Sequence, residues 1–135
     1  MLVYAHRGGF PEYERIGAWL EEAANGSAPF GLSTLVSSGF LRVVTHPRVF
    51  VDPTPTEDAI EFVEALRGRP NCVEVAPGPR HWEIFAGLCH TTGATGNFVP
   101  DAYLAALAIE SGSEWITTDG GFSRFKGLRW RHPLA

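Results

Sequence analysis

The stretch Asn97-Phe98-Val99-Pro100-Asp101-Ala102-Tyr103-Leu104-Ala105-Ala106-Leu107-Ala108-Ile109 leaves this chain few ways to fold. Proline suits the opening turn of a helix, where its missing N–H has no partner to lose, so Pro100 is expected to feed one. Ala102, Ala105, Ala106 and Ile109 share one face at helical spacing, and Leu104, Leu107 and Ala108 share another. A helix apolar nearly all round belongs in an interior. It nevertheless opens with a carboxylate, Asp101. Gly112 is a stop signal, and Trp115-Ile116-Thr117-Thr118 reads as a short buried strand that delivers Asp119 at its C-terminal end. Ligands of open α/β sheets collect at that end of the strands. Each acid alone has an ordinary explanation, as a helix-dipole partner or as the first residue of an Asp119-Gly120-Gly121 turn. Joined by one tightly packed helix and strand, the two acids point to a site for a hard cation.

The remaining chain supplies the elements around this unit. Met1-Leu2-Val3-Tyr4-Ala5 reads as a strand, and Gly8-Gly9 turns the chain. Pro11 opens a helix carrying Ile16, Trp19, Leu20 and Ala23, which Asn25-Gly26 closes. Pro29-Phe30-Gly31-Leu32 reads as a brief strand, and Thr34 to Val44 as a helix that Thr45-His46-Pro47-Arg48 breaks. Thr54-Pro55-Thr56-Glu57 has the form of a capping box, followed by Ala59, Phe62, Val63 and Leu66 on one face. Asn71 to Ala76 reads as a strand, and Pro77-Gly78-Pro79 leads to a helix with Trp82, Phe85, Ala86 and Cys89 inward. Thr91 to Asn97 is a glycine-rich loop, and Gly127-Leu128-Arg129-Trp130-Arg131 a last edge strand. Strands alternating with helices predict an α/β fold, a three-layer α/β/α sandwich with a central parallel sheet. Its core is expected to include Val3, Trp19, Val63, Val75, Phe85, Ala105, Leu107 and Ile116.

A length of 135 residues suits one domain spanning 1–135 with a core of useful size. Net charge is −4, so phosphate binding requires its 11 lysines and arginines to be clustered rather than numerous. All but Lys126 are arginine, the better residue for bidentate phosphate contact. Cys72 and Cys89 lack metal-ligand spacing and sit in apolar periodic segments, as buried free thiols of a reducing cytoplasm do. No apolar run is long enough for a membrane span, and no signal peptide is visible.

Pro100-Asp101-Ala102 with its alanine-rich helix, then Ile116-Thr117-Thr118-Asp119 with Phe122 and Phe125, resembles the C-terminal half of a PIN-domain ribonuclease. The resemblance is to the VapC-type toxins of bacterial toxin–antitoxin pairs. Leu2-Val3-Tyr4-Ala5-His6, Gly39 to Phe50 and Gly127-Leu128-Arg129-Trp130 fit the same pattern, so the likeness covers nearly the whole chain. It implies a Mg²⁺- or Mn²⁺-dependent endoribonuclease that cleaves RNA phosphodiester bonds, with Asp101 and Asp119 as catalytic residues and metal ligands. Asn97 and Thr118 (or its neighbour Thr117) are candidates to support that site. His6, Arg7, His46 and Arg48 are candidates for RNA phosphate contacts. The resemblance further implies a VapB-like antitoxin, docked on the apolar surface of the N-terminal helices, and a homodimer in the cytoplasm.

Three departures accompany the likeness. The family's first acid precedes the Leu-Val-Tyr-Ala match, and the first strand is expected to be truncated at its N-terminus. A second acid falls where Ser38-Gly39 stands, and a further one where Gly120-Gly121 stands. The alternative is therefore a catalytically depleted PIN domain acting as an antitoxin- or RNA-binding module.

Overall fold

A computed structural model describes the chain from Met1 to Ala135. It divides into two compact units, Met1–Glu74 with Leu134, and Val75–Pro133 with Ala135.

The first unit holds α1 (Leu2–Arg7), α2 (Pro11–Asn25), β1 (Phe30–Leu32), α3 (Thr34–Val44), α4 (Thr56–Arg67) and β2 (Cys72–Glu74). Pro11 occupies the first turn of α2 as anticipated, and Ile16, Leu20 and Ala24 line its buried face at intervals of four. The Ser33 hydroxyl accepts the Val36 N–H at 3.1 Å and so caps α3. α3 then buries Ser37, Phe40 and Val44. α4 turns Ala59, Val63 and Leu66 inward. β1 and β2 pair in parallel, Phe30 opposite Cys72 and Leu32 opposite Glu74. The Asn71 side-chain amide donates to the carbonyls of Ala23 and Ala28 at 3.0 and 2.9 Å, which ties the end of α2 to the start of β2. Leu20, Leu32, Phe40, Val44, Ala59 and Val63 belong to one continuous core, with Val3 and Trp19 packed at its edge.

Two expectations for this unit are corrected. Met1–Ala5 is not a strand: residues 2–7 form α1, with Leu2 buried and the helix packed on α2 and α3. Val3 and Tyr4 favour strands on propensity, but Gly8, at φ 60°, donates its N–H to the Tyr4 carbonyl and closes a helical end instead. The capping box before α4 does not form. Pro55 is the cap residue and the helix has no side-chain cap, because the Thr54 hydroxyl faces His6 Nε2 at 3.0 Å and Arg7 at 3.3 Å.

The second unit holds α5 (His81–Thr92), α6 (Phe98–Ser111), β3 (Trp115–Ile116), a 3₁₀ turn (Gly120–Arg124) and β4 (Trp130–Arg131). α6 starts at Phe98, so Pro100 sits inside its first turn rather than ahead of it. Ala102, Ala105, Ala106, Leu107 and Ala108 are all buried. Gly112 ends the helix in the left-handed conformation, φ 69°, which a side chain would strain. β3 and β4 pair in parallel, Trp115 opposite Trp130 and Ile116 opposite Arg131. Leu88, Ala102, Ala105, Ala106, Phe122 and Phe125 form the second core. Strand pairing is thus parallel in both units, as an α/β fold requires, and it takes the form of two two-stranded sheets, β1-β2 and β3-β4.

The face of α5 is the second unit's correction. Trp82 is 72% exposed and Ala86 is exposed, whereas His81 and Leu88 are buried. Of the expected face, Phe85 and Cys89 pack half-buried against the second core and Trp82 and Ala86 do not, while His81 is drawn in with its Nε2 3.0 Å from the Tyr103 carbonyl. Val63, Ala105 and Leu107 are buried as expected, while Val75, Phe85 and Ile116 are half-buried.

Glu110, near the end of α6, accepts the N–H groups of Gly78 (2.7 Å) and Arg80 (2.9 Å), closing the open start of α5. The Gly78 N–H foremost, together with that of Arg80, draws the Glu110 carboxyl below its ordinary 4.5. Because the folded value is depressed, this stabilisation is present above pH 4.5 and lost as pH falls through the folded value. The stability gap between wild type and Glu110→Gln, measured by urea unfolding across pH, should be full at pH 7 and close in acid. Leu107 is 4% exposed. Leu107→Ala should lower unfolding stability by about 2–5 kcal/mol in the same assay.

Candidate metal centre

Asp101 lies in the first turn of α6, the only acid there. The alanines that follow let this helix approach its neighbours closely, so the carboxyl is half-buried although it belongs to a helix start. Burial pushes the Asp101 carboxyl above its ordinary 3.8, the nearby negative charge of Asp119 raises it further, and Arg124 opposes both. A plain dipole partner or cap would have been shifted the other way.

Asp119 follows β3 and caps the 3₁₀ turn: its Oδ1 accepts the Gly121 N–H at 2.8 Å. Its own N–H donates to the Thr117 hydroxyl at 3.1 Å. Thr117 is buried, and Thr118 is half-buried. Both threonines lie just past the end of β3, which stops at Ile116 rather than running to Thr118, and Thr117, not Thr118, makes the bond that holds Asp119. Asn97 occupies the cap position of α6 with φ −68° and ψ −13°, exposed and without a side-chain cap bond.

The first-unit candidates are engaged locally. The His6 ring packs edge-on against Phe40 and Phe62 and faces the Thr54 hydroxyl. Arg7 donates to the Asp52 carbonyl at 2.8 Å and lies 4.1 Å over the Phe50 ring. His46 Nδ1 accepts the Arg48 N–H at 3.0 Å, which leaves the Arg48 side chain exposed. Together these contacts fasten the loop between α3 and α4.

No three of the chain's His, Cys, Asp and Glu side chains are grouped to hold a metal ion. Asp101 and Asp119 remain as a pair of carboxylates whose mutual repulsion adds to a burial cost. Mg²⁺ is commonly held by one or two carboxylates with water completing an octahedron, and a cation offsets this repulsion, so the pair fits such an ion.

The comparisons with known proteins bear on what such a pair does. The PIN-domain family profile matches residues 1–128. VapC ribonuclease Mb2897 of Mycobacterium bovis is 46% identical over 134 residues, 99% of this chain and 91% of that protein. The chain belongs to the VapC ribonucleases of the PIN-domain family. Ribonuclease VapC33 of Mycobacterium tuberculosis is 39% identical over 134 residues, 99% of this chain and 94% of that protein. Among solved structures, VapBC2 from Rickettsia felis bound to a DNA fragment from their promoter superposes with a TM-score of 0.64 at 18% identity, covering 97% of this chain and 92% of that one. VapBC-1 from nontypeable Haemophilus influenzae gives 0.64 at 17% identity, covering 92% and 90%. Both show that the PIN fold extends over the chain. Divalent-metal dependence is general among PIN-domain VapC ribonucleases. No helix of this PIN domain is long and apolar enough to cross a membrane.

Two residues beside the site, Arg124 and Phe98, escape sequence reading, while the choice of Thr117 over Thr118 as the partner of Asp119 is made only by the fold. Arg124 and Phe98 meet as guanidinium over ring at 4.1 Å, and no sequence pattern joins them.

Since folding raises the Asp101 value, its ionised form costs stability at neutral pH, and the cost disappears as pH falls below 3.8. Asp101→Asn should therefore raise the thermal midpoint of metal-free protein at pH 7, and the gain should vanish in acid. A calorimetric scan at two pH values checks both.

Proposed function

We propose that the chain, acting as a single PIN domain over 1–135, is a Mg²⁺- or Mn²⁺-dependent endoribonuclease whose metal ligands and catalytic residues are Asp101 and Asp119. The observation carrying this reading is the placement of two acids in a VapC-family chain, Asp101 half-buried in the first turn of α6 and Asp119 just beyond β3, near enough for the charge of Asp119 to act on Asp101. A bound Mg²⁺ or Mn²⁺ supplies polarisation of the scissile phosphate and a water of lowered pKa. Asp101 and Asp119 contribute the negative charge that retains such an ion. Thr117 fixes the Asp119 backbone, and the Gly121 N–H orients one of its carboxylate oxygens. Asn97, exposed at the mouth of α6, and Thr118, beside Thr117, are the remaining polar groups that support the site. Among the first-unit groups, exposed Arg48 suits an RNA phosphate best, while His6, Arg7 and His46 position the loop that carries it.

The partner we assign is a VapB-like antitoxin. The first unit offers exposed Phe10, Leu35 and Ile60 and a cavity of about 190 Å³ between α3 and α4, lined in part by Leu41, Ile60 and Val63, which suits an apolar antitoxin segment. Homodimerisation and residence in the cytoplasm follow the same family pattern, and both cysteines being free agrees with a reducing compartment.

Calorimetric Mn²⁺ titration tests the site. Wild type should bind weakly, with two carboxylates supplying the charge, and Asp101→Asn and Asp119→Asn should each lose most of that affinity. RNA cleavage on a labelled panel should fall with it. Equal Mn²⁺ affinity in all three proteins would remove the metal site and leave the chain an antitoxin- or RNA-binding module.

A further inference from the structure

Beside the acid pair stands a cation that the metal site does not use. Arg124 closes the 3₁₀ turn that Asp119 begins, and its residue is exposed. Its guanidinium carbon lies over aromatic rings, 4.1 Å from the Phe98 ring centroid and 5.8 Å from that of Phe125. Ion pairs in the chain join Arg67 to Glu74 and Arg131 to Glu114, and Arg124 is in neither. Its charge still reaches the site, since it pulls the Asp101 carboxyl downward.

Gly121 explains how the guanidinium comes to be there. A Cβ placed on Gly121 would stand 2.7 Å from Arg124 Nη2 and 2.9 Å from Asp119 Oδ1. The side chain missing at 121 is therefore the space in which Arg124 and Asp119 approach one another. An arginine held this near two carboxylates without pairing to either keeps its donors available. A planar guanidinium stacked on a ring is already ordered, so little side-chain freedom remains to be lost on binding an anion.

Building on the metal-dependent ribonuclease reading, we propose that Arg124 binds a phosphate of the RNA strand next to the Asp101–Asp119 pair, with Phe98 orienting the guanidinium and Gly121 leaving room for it. Arg124 is a substrate-binding residue here, and Phe98 a positioning residue. The arrangement resolves an electrostatic difficulty of the site: RNA must bring negative charge up to two carboxylates in a protein of net charge −4. A fixed cation at the rim offsets that repulsion without occupying the acids.

The test is fluorescence anisotropy with a labelled mixed-sequence single-stranded RNA, in Ca²⁺ in place of Mg²⁺ and with gels showing the probe intact. Arg124→Gln should weaken binding about 10- to 100-fold, the range for a hydrogen bond to a charged group. The slope of log affinity against log salt should shrink by about 0.7, the contribution of one phosphate contact on a single strand. Arg124→Lys should keep that slope while losing part of the affinity, because a lysine retains the charge but not the two-pronged contact. Phe98→Leu should weaken RNA binding with the salt slope nearly kept. Gly121→Ala should weaken it with no change in net charge. Calorimetric Mn²⁺ affinity of Arg124→Gln should match or exceed that of wild type, since a neighbouring cation has been removed. Wild-type RNA affinity and slope in Arg124→Gln would overturn the proposal. So would a parallel loss of Mn²⁺ affinity, which would mean that Arg124 only shapes the acid pair. Failure of the metal reading looks different: the two aspartate variants would then keep Mn²⁺ binding, while the Arg124→Gln slope would still drop.

Discussion

The packing of alanines along α6 governs the second unit. Ala102, Ala105 and Ala106 have no exposed surface, and they meet Leu88 of α5 and the rings of Phe122 and Phe125. Side chains this small allow backbones and aromatic rings to come close, and close approach is what takes water away from the first turn of the helix. Asp101 is desolvated as a result. A carboxyl on a helix start would otherwise gain from free N–H groups and the dipole, yet here burial outweighs that gain and Asp119 adds to the cost. The site is thus a place where good packing and unfavourable electrostatics are built from the same residues, a common signature of groups tuned for chemistry.

The 3₁₀ turn extends this logic. Asp119 follows β3, caps the turn through Gly121, and is itself held by Thr117. Phe122 and Phe125, on the same turn, are buried in the core that holds the alanines. The turn is anchored by its aromatic side chains, while its polar ones, Asp119 and Arg124, are left at the rim. Anchoring a charged pair on a buried aromatic frame limits its motion, as a binding site requires.

The elements legible in the sequence are those whose own pattern decides their fate. Thr34–Val44 is a helix with the bounds its pattern suggested, and α6 is buried because no face of it is polar. Gly112 ends α6 because the left-handed conformation there suits glycine. Misreadings fall where a neighbour makes the choice. Leu2–Arg7 carries strand-favouring residues, but α2 and α3 offer it a helical seat and no strand edge. Thr54 looks like a capping residue until His6 and Arg7 engage its hydroxyl. On α5, Trp82 suggests an inward residue but stays exposed, while Phe85 packs on the core as expected and the Tyr103 carbonyl draws His81 in. Asp101 and Asp119 stand out in the sequence because each lies beside recognisable punctuation, Pro100 before the one and Gly120-Gly121 after the other. Arg124 does not, since its meeting with Phe98 depends on how α6 and the 3₁₀ turn come together.

Gly39 and Gly121, two positions at which the resemblance leads one to expect acids, are not equivalent. A Cβ at Gly39 would meet nothing within 4 Å, so that position is merely vacant. A Cβ at Gly121 would collide with Arg124 and Asp119, so that position is in use. An acid at 121 would therefore displace or neutralise the guanidinium, exchanging a cation at the rim for another anion. With two carboxylates and a positive group next to them, the proposed site would hold a metal ion less tightly on its own than together with a phosphate. On the proposed reading, metal and RNA would favour each other's binding, because each would reduce the repulsion the other meets.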